Sequence, residues 1–223
     1  DKMKFKLRCL KCGKTYPENK YICRCENGCN SMLRTEYKEH KLKINEDYEG
    51  LWKYINWLPI QSVDERLLKK TSTYKTYKSK HLAKHLGLKN LIVCLNAYPY
   101  NKTGSFKDIE AELAYQRVLD TQDNGKPFVL SSDGNNAISF TYYSSVLSYP
   151  LYLFITEDAR LRRVWSYKKK NPNLILFPIE GDYYDAIFLS NKFANVKDVL
   201  PEGGAKNVAR RDGVATVILD AAM

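Results

Sequence analysis

The sequence predicts an α/β fold in which helices cover a parallel sheet, and three observations carry that expectation. Apolar runs of strand length alternate with helix-length segments from residue 127 onward. Gly, Asn, Asp and Pro punctuate the changes of period. Hydrophobic residues make up 44% of the 223 positions, with 17 Tyr and 8 Phe, enough for one large core or two small ones. Repeated βαβ units give a parallel sheet, and ligands of such sheets bind where loops gather at the strands' carboxyl ends.

The formal net charge is +11, with lysine far commoner than arginine. That surplus suits an anionic ligand or a polyanion. The lysines are scattered among Asp and Glu with no block of five or six like charges, so much of the excess reads as solvated surface. Lys2, Lys4, Lys6 and Arg8 interrupt any apolar opening segment, and the longest apolar runs, such as Leu91 to Leu95, are too short to cross a bilayer. A soluble, cytoplasmic protein without membrane contact is expected.

Residues 1–40 hold five of the six cysteines. Cys9-x2-Cys12 followed by Gly13 makes a tight knuckle, and Cys25 with Cys29 across Asn27-Gly28 is the preferred second pair, with Cys23 as substitute. Four thiolates suit a structural zinc ribbon, and a disulfide pairing is disfavoured in a reducing compartment. Residues 41–126 form the next unit. Trp52, Tyr54 and Trp57 pin it to a core, although aromatics among lysines could also stack on bases. Ser79 to Leu86 reads as a helix stopped by Gly87, with Leu82, Ala83 and Leu86 on one face and His81 and His85 on a solvated one. Leu91 to Leu95 reads as a buried strand with Cys94 in the core.

That strand leads into Thr103-Gly104-Ser105-Phe106-Lys107-Asp108, followed by a helical pattern of Ile109, Leu113, Ala114 and Val118. Thr103 or Ser105 can cap the helix, and Asp108 and Glu110 lie in its first turn, where carboxylates favour the dipole. Lys107 is thus an amine fixed at a helix start, where it can form a Schiff base.

Residues 127–202 carry the alternation. Strands are expected at 127–132, 151–156, 174–179 and near Val199-Leu200, with helices at 136–147, 159–169 and 183–193. After the first strand, Ser132-Asp133-Gly134-Asn135-Asn136 offers a close backbone approach, amide donors and a helix start suited to an anion. A final unit, 203–223, follows Gly203-Gly204. A helix from about Lys206 would put Lys206 and Arg210 on one face as a cradle for a phosphate or sulfur oxyanion, with Arg211 beside it.

The Thr103 to Asp108 stretch resembles the motif bearing the pyridoxal phosphate lysine of fold-type-II enzymes, the group holding the threonine synthase and cysteate synthase families. The resemblance implies that Lys107 carries the cofactor and moves the proton at the substrate α-carbon. Ser132 to Asn135 resembles the family's Ser-x-Gly-Asn loop. It implies Asn135 on the cofactor's ring oxygen, with Ser132, Gly134, Asn136 and backbone amides on the substrate carboxylate. Asp133 departs from the small neutral residue usual there, and a carboxylate in that place is unfavourable unless it points away.

Gly181 to Ile187, and Pro201 to Gly213 continuing to Leu219-Asp220-Ala221-Ala222, look like the cysteate synthases in particular. That likeness implies joining of sulfite to O-phosphoserine, on the way to coenzyme M. Threonine synthesis from O-phosphohomoserine is the alternative within the class, and a basic zinc-ribbon nucleic-acid module the alternative outside it. The family's phosphate-binding Gly/Ser/Thr loop and its Ser or Thr facing the pyridine nitrogen do not occur in these residues. The resemblance therefore implies the N-terminal portion of a longer enzyme, truncated at Met223, or a partner chain supplying the remainder, or a homo-oligomer.

Overall fold

Strand β1 (Phe5–Cys9) turns Phe5, Leu7 and Cys9 inward and leaves the residues between them half-buried. This alternation lets one face of a small sheet pack. In the computed structural model, which describes residues 3–159 and 171–223, β1 lies between β2 (Thr15–Tyr16) and β3 (Leu33–Tyr37), both antiparallel to it. Tyr16, Ile22 and Leu33 complete its apolar side.

The segment that follows is pinned by its aromatics. A 3-10 helix at Gly50–Trp57 buries Trp52 and Tyr54 completely, so neither ring is available to stack on a base. Short helix α1 (Glu65–Leu68) is capped by the Asp64 carboxylate. Strands β4 (Lys75–Lys78) and β5 (Ile92–Leu95) pair antiparallel around α2 (Lys80–His85). Here the expectation of a buried strand is corrected: Ile92 and Leu95 are 53% and 42% exposed, and Cys94 is half-buried. The apolar face of α2 differs too. Ala83 is buried, whereas Leu82 and Leu86 are 44% and 56% exposed.

Helix α3 (Lys107–Leu119) is the centre of the molecule, buried from Asp108 through Val118. Its polar residues are therefore inside, and each needs a polar partner. Beyond it the four-stranded sheet runs in the order β8-β7-β6-β9, parallel throughout. Its strands are β6 (Phe128–Ser131), β7 (Leu151–Thr156), β8 (Leu174–Ile179) and β9 (Leu200–Pro201). Helix α4 (Asn135–Leu147) joins β6 to β7, the helical turn α5 (Glu157–Ala159) follows β7, and α6 (Tyr183–Val196) joins β8 to β9. The rest of the helix expected at 159–169 lies outside the described residues. Phe128, Tyr115, Phe140 and Tyr149 meet edge-on or tilted between sheet and helices, with centroids 5.1–6.0 Å apart.

A 3-10 turn at Gly204–Lys206 precedes the last helix, α7 (Val208–Ala221). This helix lies directly on α3. A Cβ at Gly213 would sit 3.1 Å from Ile109 Cγ2 and 3.3 Å from the Ile109 carbonyl oxygen. Only glycine admits so close a crossing without a shift, and the crossing sets the α7 side chains against the start of α3.

Candidate active site

The loop before α3 is built by one carboxylate. Asp108, fully buried, accepts from the Thr103 amide at 2.7 Å, from the Thr103 hydroxyl, and from the Ser139 hydroxyl on α4 at 2.6 Å. Asn101 donates to the Ser105 carbonyl at 2.8 Å, and Gly104 turns the chain at φ +81°. The Ser105 hydroxyl accepts from the Lys107 amide at 3.2 Å, while Phe106 takes the cap position without a side-chain bond. Of the two hydroxyls expected to cap the helix, neither takes the cap position: that of Ser105 accepts one first-turn amide, and that of Thr103 donates to Asp108 instead.

Lys107 is the first residue of α3, with its side chain 26% exposed. Its Nζ lies 2.7 Å from Glu110 Oε1 and 4.5 Å from the centroid of the Phe106 ring. The other oxygen of Glu110 accepts from the Arg210 guanidinium, which also donates to Glu202 Oε1 at 2.7 Å. Glu202 Oε2 in turn accepts from the Gly204 amide at 3.1 Å. Four side chains of alternating charge therefore run inward from Lys107, and Glu110, Arg210 and Glu202 are each buried. Burial raises the Glu202 carboxyl, and the Arg210 guanidinium beside it pulls the other way.

The Asn-bearing loop lies at the carboxyl end of β6, tied to the Lys107 loop through Asp108 and Ser139. The Ser132 hydroxyl accepts from the Gly134 and Ala137 amides, both at 3.3 Å, and so shapes the turn into α4. Asp133 points away, accepting from the Thr156 amide and hydroxyl at 2.9 Å each. Its charge is spent at the end of β7, outside the expected carboxylate pocket. Gly134 and Asn135 are exposed, and a Cβ at Gly134 would meet nothing within 4 Å, so a ligand has room against the backbone. Asn136 Oδ1 is buried without a hydrogen-bond partner. An amine at a helix start and an open glycine turn fit a carbonyl cofactor with an amino-acid substrate.

The helical cradle of Lys206 and Arg210 is corrected. Lys206 ends the 3-10 turn, and Asn207 breaks from it in extended conformation at φ −70°, ψ 117°, so the two cations share no helical face. Arg210 is held by two carboxylates, and Arg211 donates to the Ala205 carbonyl at 3.3 Å and to that of Leu33. Lys206 instead lines a groove of about 740 Å³ with Tyr21, Arg24, Ser131, Tyr183 and Glu202. Nothing in the sequence pattern marks Glu202, and Glu110 reads there only as a first-turn carboxylate favouring the dipole. The spacing of Glu110 three residues after Lys107 was the available signal for an ion pair.

In the ribbon, Cys9, Cys12, Cys25 and Cys29 bring their sulfurs within 4.8 Å of one another, a set able to hold a metal ion. The amides of Lys11 and Cys12 donate to Cys9 Sγ at 3.3 and 3.4 Å, and that of Asn27 to Cys25 Sγ at 3.5 Å. Such amides stabilise thiolates. Cys23 belongs elsewhere, its Sγ 3.8 Å from the Pro201 carbonyl oxygen, and burial pushes its thiol up to about 12.

Residues 71–222, which include both loops and the Lys107 ion pairs, match the family model described as pyridoxal-phosphate dependent enzyme. The chain belongs to that family. A cysteate synthase of Methanoculleus marisnigri is 38% identical over 99% of this chain and 50% of its own length. One of Methanosarcina mazei is 39% identical over 99% and 52%. The chain thus spans about half the length of the curated relatives it matches. Among solved structures, diaminopropionate ammonia lyase of Escherichia coli aligns at TM-score 0.54 and 17% identity, covering 70% of this chain and 46% of that one. Cysteine synthase of Entamoeba histolytica aligns at 0.54 and 17%, covering 73% and 50%. These two establish the shared fold, that of the fold-type-II enzymes. Among the described residues no helix is long and apolar enough to cross a membrane.

Proposed function

We propose that this family member catalyses β-replacement on O-phospho-L-serine, exchanging phosphate for sulfite to give L-cysteate. One observation carries the choice of substrates: the 38% identity to a curated cysteate synthase over 99% of this chain. Pyridoxal phosphate, held at Lys107, would supply the electron sink for a carbanion at the substrate α-carbon. Lys107 Nζ takes the α-proton, the bond from the β-carbon to the phosphate oxygen breaks and phosphate leaves with its electron pair, sulfite adds at the same carbon, and Nζ returns the proton to the α-carbon. Asn135 orients the cofactor ring. The amides at the start of α4 and the Asn136 side-chain NH2 donate to the substrate carboxylate, with Ser132 fixing the turn that presents them. Lys206, on the groove, receives the phosphate or the sulfite. Arg210 holds Glu110 and Glu202 instead.

The ribbon binds zinc through Cys9, Cys12, Cys25 and Cys29. Arms of about 2.3 Å in a tetrahedron put sulfurs roughly 3.8 Å apart, against sulfur separations of 3.4, 3.5 and 3.7 Å here. The test of the reaction uses the full-length protein with pyridoxal phosphate. O-phosphoserine and sulfite should yield equal amounts of cysteate and phosphate, and O-phosphohomoserine should yield no threonine. Threonine without cysteate would move the assignment to the sister reaction.

A further inference from the structure

The Lys107 ammonium has a dedicated partner whose own surroundings are fixed. Glu110 lies one turn along α3 with its carboxylate 2.7 Å from Nζ, and it is only 5% exposed. Arg210 takes the second oxygen of that carboxylate from α7, across the close crossing at Gly213. Glu202 then anchors Arg210, and the Glu202 backbone carbonyl accepts from Asn207 Nδ2 at 2.9 Å and from Tyr21 OH at 3.3 Å. Taking three charged side chains out of water is unfavourable, and apolar side chains of similar volume would stabilise a core as well or better. The arrangement does one thing an apolar core would not. It holds a carboxylate rigidly against the amine that must be free to leave and rejoin the cofactor.

We propose that Glu110 is a positioning residue for Lys107. Its carboxylate takes the Lys107 ammonium whenever Nζ is not joined to the cofactor, and Arg210 and Glu202 keep it in place. This rests on Lys107 being the cofactor lysine, but the pairing is testable without any cofactor. The full-length protein, freed of pyridoxal phosphate, is treated with trace acetic anhydride, and acetylation at each lysine is counted by peptide mass spectrometry. Lys107 should react at least about tenfold more slowly than exposed Lys69 and Lys70, as expected for an amine engaged in a charge-assisted bond. Glu110→Gln should remove that protection while Lys69 and Lys70 keep their rates, and Glu110→Asp, which retains the charge, should restore part of it. Lys107 reacting as fast as Lys69 in the parent protein overturns the proposal, and that comparison stands even where a variant fails to fold. Unchanged protection in folded Glu110→Gln overturns it as well. Failure of cofactor to attach at Lys107 is a separate result, read by a different experiment.

Discussion

Glu112 sits one turn beyond Asp108 with no exposure at all, and it shows what the interior of α3 costs. One of its oxygens accepts from the Ser72 amide at 2.9 Å, and the other has no partner. Burial raises its carboxyl to about 8, so the folded protein keeps a proton that the unfolded chain releases near pH 4.3. The native state therefore binds more protons between those values. The stabilising contribution is complete below about pH 4 and is lost as pH rises through about 8. Denaturant titrations across that window should lose at most about 1.4 kcal/mol per pH unit from this group. Glu112→Gln should flatten the dependence, and an unchanged slope would exclude Glu112 as its source. None of this was legible in the sequence. A carboxylate at helical spacing on a pattern of Ile109, Leu113 and Val118 reads as the wet side of an amphipathic helix. Only the packing of α4 and α7 around α3 makes it interior.

At the scale of elements, the strand–helix alternation from residue 127 was legible because each apolar run ends in turn residues that force the change of period. The start of α7 was legible in principle as well. Asn207 is a good N-cap, and its side chain accepts from the Ala209 amide at 3.0 Å, which separates Lys206 from the helix. What periodicity could not tell is whether a face meets a partner. Leu82 of α2 and Leu86 just after it, and Ile92 and Leu95 of β5, carry the signature of buried positions yet stand exposed among the described residues. In the ribbon, spacing left Cys23 and Cys25 both open. The tertiary fold separates them, because Cys23 Sγ lies under Gly203, where a Cβ would approach to 2.5 Å. Cys25→Ser should therefore lose most bound zinc, and Cys23→Ser should keep it. Plasma emission spectrometry on reduced protein reads both, and equal loss in the two variants would contradict the ligand set.

Over the whole molecule, the two loops that make the candidate site come from distant segments joined by a few buried polar groups. Asp108 ties the lysine loop to α4, and Arg210 ties α3 to α7 and to the turn after β9. The lysine motif and the Asn loop were legible because each needs particular residues next to one another. The Glu110–Arg210–Glu202 chain was not, since its members are eight to a hundred positions apart. The net charge of +11 likewise gave no hint that an arginine was committed inside. The proposed function requires that Lys107 carry the cofactor. Its most direct test is borohydride reduction of the full-length protein loaded with pyridoxal phosphate, followed by peptide mapping. The expected result is a single reduced pyridoxyl group per chain, on the Lys107 peptide, and none on a folded Lys107→Ala variant. A group fixed on another lysine, or equal labelling of that variant, would contradict it.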